Sequence, residues 1–104
     1  MDREAVRVIN DFVKKIKKKF SINKVIFFGS RANDEYLKSS DIDLVIVSDD
    51  FEGIDFSKRI SMIYNYWDFK YAVDFLCYTK KEFEKFSKMI TIAREALRKG
   101  IIIS

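Results

Sequence analysis

The stretch that most constrains this 104-residue chain is residues 25–47, VIFFGSRANDEYLKSSDIDLVIV. Two apolar runs of strand length bracket a polar connection, and the residues at the two inner edges carry the information. Gly29 and Ser30 close the first run; Ser40, Asp41, Ile42 and Asp43 open the second. Antiparallel pairing of the runs sets Gly29 and Ser30 next to Asp41 and Asp43. Side chains two apart on a strand leave the same face, about 6.6–7 Å apart along the chain. Asp41 and Asp43 therefore point one way, while Ile42, Leu44 and Ile46 point the other, into a core. Two ionised carboxylates aimed at one spot repel, and a cation relieves them. The pattern predicts a metal site beside a phosphate-binding turn.

The rest of the chain supplies the frame. Residues 2–20 have a helical period, with Ala5, Ile9, Phe12, Val13, Ile16 and Phe20 on one face. Lys14, Lys15, Lys17, Lys18 and Lys19 gather in its last turns, where cations complement the helix dipole. The first strand is placed at residues 24–28 and the second at 41–47. A short helix over residues 30–38, starting directly after Gly29, would aim backbone N–H groups at an anion. Residues 48–52 form a polar loop closed by Gly53. A helix follows over residues 55–67, with Phe56, Ile60, Ile63, Tyr64 and Trp67 expected inward, and a third strand over residues 72–78. A strand–helix–strand unit of this length implies parallel strands and a right-handed crossover. Asp74, early in the third strand, then matches Asp43 early in the second, about 4.8 Å away across the ladder. Thr79 and Glu82 form a capping box for a helix with Phe83 and Phe86 inward. A last helix spans residues 89–99, Gly100 caps it, and the apolar tail at 101–103 is expected as an edge strand on this sheet or on a partner.

Composition narrows the chemistry. The length suits one small domain, residues 1–104, and 48% apolar with 15% aromatic residues supports a core. No apolar run approaches the length of a membrane span, and the charged start, MDREAVRV, is unlike a secretory signal. A cytoplasmic location is the expectation. Cys77 is the single cysteine and there is no histidine, which excludes an internal disulfide, a histidine-based triad and a cysteine or histidine zinc site. Any bound ion is left with oxygen donors, which favours magnesium or manganese. A net charge of +4 is compatible with a polyanionic substrate such as a nucleotide. The lysine face reads first as a solvated, dipole-compensating surface and second as an RNA contact.

Phosphoryl and nucleotidyl transfer ask a protein to hold the phosphates, neutralise their charge and align the attacking group. Gly29 allows close backbone approach, and Ser30 offers a hydroxyl and an N–H. Asp41 and Asp43 would hold divalent ions, and Arg31 would add charge against the phosphates. Asp74 would complete the metal site and accept a proton from the attacking hydroxyl. A lone aspartate in an apolar strand has one other reading, an ion pair with a lysine or arginine.

Gly29-Ser30, then Ser40-Asp41-Ile42-Asp43-Leu44, then Asp74 on a later strand, resembles the nucleotidyltransferase superfamily of DNA polymerase beta. The short length, the GSRA…SDIDL wording and the closing AREALRKGIII look like its minimal nucleotidyltransferase group. The resemblance implies an α/β (α+β) fold, a small mixed sheet of about three to four strands flanked by helices. It implies ATP or another nucleoside triphosphate as substrate, with magnesium. Asp41 and Asp43 match the family's metal-binding pair, Asp74 its third carboxylate, and Gly29 and Ser30 its triphosphate turn; Arg31 and Ser40 lie within the same motifs. Members often read GSRARG, whereas Asn33 and Asp34 follow Ala32 here, so a basic residue and a glycine are missing. The group is often encoded beside a HEPN protein, as antitoxin to its toxin. The resemblance thus implies AMP transfer to a hydroxyl, such as a tyrosine on a HEPN partner; the apolar tail and the 15% aromatic content suit a homo- or hetero-oligomer. Transfer to a small molecule and a purely binding antitoxin are the competing readings.

Overall fold

The computed structural model describes residues 2–32, 41–89 and 91–104. Helix α1 (Arg3–Lys17) precedes strands β1 (Ile22–Phe28) and β2 (Ile42–Ser48). A 3-10 turn at Asp49–Phe51 leads to helix α2 (Phe56–Tyr64) and strand β3 (Val73–Tyr78). Helices α3 (Lys80–Ser87) and α4 (Ile92–Lys99) and a short strand β4 (Ile101–Ile102) complete the described elements. The strands form one mixed sheet in the order β3-β2-β1-β4. β1 is antiparallel to β2 and β4, and β2 is parallel to β3 across the α2 crossover. This is the α+β arrangement of helices on a small mixed sheet that the sequence implies. No helix among the described residues is long and apolar enough to cross a membrane.

β2 is almost wholly apolar because both faces of the sheet are covered. Ile42, Leu44 and Ile46 pack with Ile9, Phe12 and Ile16 of α1 and with Ile63 and Trp67. Val45 and Val47 pack on the opposite face with Ile26, Phe83, Ala93 and Ala96. Along that second face burial falls from Val47 and Val45 through the half-buried Asp43 to the exposed Asp41. The sheet is therefore sealed through its middle and open at the end where β2 and β3 begin.

Several local expectations change. Burial on α2 falls on Arg59 and Ile63, while Phe56, Ile60 and Tyr64 stay exposed. The helix turns Arg59 inward because its guanidinium finds partners there: the Ile54 and Cys77 carbonyls at 2.7 and 3.2 Å and the Glu82 carboxylate at 2.6 Å. α4 starts later than residue 89, at Ile92, where the Thr91 hydroxyl caps Arg94 N–H and donates to the Phe86 carbonyl. Gly100 ends α4 at φ −79°, so a left-handed cap is not its purpose. A Cβ there would lie 2.4 Å from the Ala96 carbonyl and 2.5 Å from Ile26 Cγ2. Glycine lets the tail turn tightly onto β1, where Ile101 and Ile102 pair with Phe27 and Ile26. The tail is thus an edge strand of this sheet. Lys14, Lys15, Lys17, Lys18 and Lys19 are all exposed, a solvated face of α1 and the turn after it.

Candidate active site

The end of β1 and the starts of β2 and β3 meet at the open end of the sheet. In register, Phe28 lies opposite Asp43, and Asp43 lies opposite Asp74. Gly29 follows Phe28 with φ +83°, a conformation that L side chains rarely adopt. A Cβ on Gly29 would stand 2.2 Å from Asp43 Oδ2 and 3.1 Å from its carboxyl carbon. The sequence assigns this glycine to phosphate approach. The fold requires it already, because the Asp43 carboxylate occupies the space a side chain would fill. Ser30, Arg31 and Ala32 continue as a turn, closed by Ala32 N–H donating to the Gly29 carbonyl at 3.2 Å. Of the helix expected over residues 30–38, residues 33–38, Asn33 and Asp34 among them, lie outside the described residues, as does Ser40.

Asp41, Asp43 and Asp74 sense one another. Burial first, then the charges of Asp74 and Asp41, push the Asp43 carboxyl up to about 6. Partial desolvation, then the charge of Asp41 and a hydrogen bond with it, raise Asp74 as well. Among the described residues no lysine or arginine pairs with any of the three. The ion-pair reading of Asp74 therefore finds no support there, and Asp74 is exposed on an edge strand rather than buried in an apolar one. Its position, not its burial, is what marks it.

These residues fit a divalent ion by their donor chemistry: carboxylate oxygens only, like charges without an ion-pair partner among the described residues, and a glycine where a side chain would block approach. Among the described residues no three acidic, cysteine or histidine side chains are drawn onto one point.

Arg31 has partners that local sequence does not name. Its guanidinium is buried, ion-paired with Asp2 and seated 4.9 Å over the Tyr71 ring. An aspartate just ahead of a helical period is a local signal for the N-cap that Asp2 forms; its pairing across 29 residues of sequence has no such signal. The Arg59–Glu82 pair escaped for the same reason, since nothing local marks two such distant residues as partners.

A family model described as a nucleotidyltransferase domain matches residues 9–99. Over 51 residues the chain is 43% identical to a protein of Methanocaldococcus jannaschii provisionally named a protein adenylyltransferase. That match takes in 46% of this chain and 51% of the relative, so the chain spans about half the length of the relative it matches. A solved structure from Sulfolobus solfataricus, provisionally named a nucleotidyltransferase, aligns over 93% of this chain and 77% of that one. Its TM-score is 0.67 at 20% identity, a likeness of fold.

Proposed function

Since the chain belongs to the nucleotidyltransferase domain family, we propose that it transfers AMP from ATP to a hydroxyl of a protein acceptor. The observation that carries this reading is the register of Asp43 opposite Asp74, with Gly29 held against the Asp43 carboxylate. The residues 29–30 turn receives the triphosphate. The acceptor oxygen attacks the α-phosphorus, the bond to the oxygen bridging to the β-phosphate breaks, and pyrophosphate leaves. The proton of the acceptor hydroxyl passes to Asp74. Asp41, Asp43 and Asp74 would hold magnesium, or manganese in its place, which when bound would supply positive charge to offset the carboxylates and the triphosphate.

A protein acceptor is supported by the name of the Methanocaldococcus jannaschii relative. The resemblance to minimal nucleotidyltransferases adds a HEPN toxin as the proposed acceptor, with this chain as its cytoplasmic antitoxin. The test is transfer from α-labelled ATP with magnesium, with and without the product of the neighbouring gene, comparing wild type with the Asp41→Asn/Asp43→Asn double variant. Label that reaches the neighbour and disappears in the variant is the expected result. No transfer by wild type or variant under any condition, with the neighbour still bound and silenced by the variant, would replace this reading with an antitoxin that acts by contact.

A further inference from the structure

We propose that Asp2 is a positioning residue for the triphosphate turn, acting through Arg31; the inference rests on the nucleotide reading above. Asp2 holds the turn by two routes. Its backbone N–H donates to the Arg31 carbonyl at 3.0 Å, and its Oδ2 takes the Arg31 guanidinium. Its other oxygen, Oδ1, accepts from Ala5 N–H at 3.1 Å and so caps α1. Main chain and side chain of Arg31 are thus both fixed to the first turn of a helix packed in the core.

Arg31 completes the clamp on its far side. The guanidinium lies over Tyr71, at the end of the segment that leads into β3 and three residues before Asp74. The next carbonyl, that of Ala72, accepts from Ile42 N–H at 2.9 Å, between Asp41 and Asp43. One cross-tie therefore links the turn at residues 29–32, the start of α1, and the lead-ins of both carboxylate-bearing strands. An Arg31 side chain only 6% exposed, with its charge matched by Asp2, works on the turn from behind. A planar guanidinium suits this position because it stacks on a ring and bonds a carboxylate at once; an ammonium offers a point charge instead.

The test measures binding of ATP with magnesium to the full chain by calorimetry, alongside thermal melting and hydrogen exchange at the Ala32 amide. Asp2→Asn keeps a capping oxygen and the backbone donor but removes the charge, so the helix start survives. The expected result is about tenfold weaker ATP binding and faster exchange at Ala32, with the double variant Asp2→Asn/Arg31→Ala no weaker than Arg31→Ala alone, as for residues acting as one unit. Arg31→Lys, which retains a cation, is expected to lose affinity to a similar degree. Wild-type affinity in Asp2→Asn with only a lower melting temperature would overturn the proposal, leaving Asp2 a plain helix cap. Wild-type affinity in Arg31→Lys, or losses that multiply in the double variant, would overturn it in favour of direct phosphate contact by Arg31. Wild type that binds no ATP would sink the nucleotide reading, and unchanged Ala32 exchange in Asp2→Asn would separately sink the clamp.

Discussion

Asp43 is a carboxylate with no ion-pair partner among the described residues. In the folded chain its carboxyl keeps a proton to about pH 6, against 3.8 for an unperturbed aspartate. The folded state thus binds that proton more tightly than the unfolded chain does. The associated stability is complete below pH 3.8 and is lost as pH rises through 6. Asp43→Asn removes the repulsion. It is expected to raise the melting temperature at pH 8 in a chelator, by a margin that fades as the pH is lowered to 4. Calorimetry across that range checks it, and a margin independent of pH would point to a packing effect. Magnesium added at pH 8 should raise the melting temperature of wild type and leave the variant nearly unmoved. Gly29 belongs to the same trade, since its open Cα lets the carboxylate sit where it does.

At the scale of elements, Arg59 decides how α2 lies on the sheet. It joins the loop before α2, the end of β3 and the start of α3, with Phe56 stacked on its guanidinium at 4.5 Å. Burial works to raise the Glu82 carboxyl, but hydrogen bonds from Arg59 and Thr79 outweigh it and hold Glu82 below the usual carboxylate range. That contribution is present above the unfolded value of 4.5 and is lost as pH falls through the lowered one. Arg59→Met strips several partners at once and is expected to cost about 3 kcal/mol, the range for breaking a buried pair from one side. Glu82→Gln keeps an acceptor for Arg59 and the capping box, so its expected cost is about 1 kcal/mol. Urea titrations of the two variants decide the order; equal losses would mean that the pair, rather than the carbonyl contacts of Arg59, dominates.

The whole molecule has unequal halves. The face under α1 and α2 holds the larger core, centred on Phe12, whose ring lies 5.0 Å from Trp67 and 5.5 Å from Phe75. The face under α3 and α4 is closed by small residues, Ala93 and Ala96, around Phe83. Phe12→Ala is expected to lower stability by about 3–5 kcal/mol, from lost transfer free energy and the cavity left behind. Met89→Gln, on the exposed side of the smaller half, should change it by less than about 0.5 kcal/mol. Denaturant unfolding of the pair measures the contrast, and a small loss in Phe12→Ala would show that the aromatic cluster can close over the gap.

What the sequence determined by itself was whatever repeats at short range. The periods of α1, β1, β2 and β3, the capping box at Thr79 and the Asp41-x-Asp43 spacing follow from local geometry, and they sufficed to bring Gly29, Asp43 and Asp74 to one end of a sheet. Phe56, Ile60 and Tyr64 also had the right period, yet α2 turned them outward. The winning term was the buried guanidinium of Arg59, whose partners lie 5, 18 and 23 residues away. Asp2 holds Arg31 in the same way, and Gly29 makes room for the Asp43 carboxylate, a close approach that neither strand's period records. Tertiary structure decided these points because an ion pair or a close approach depends on which distant residues share a volume. No periodicity records that.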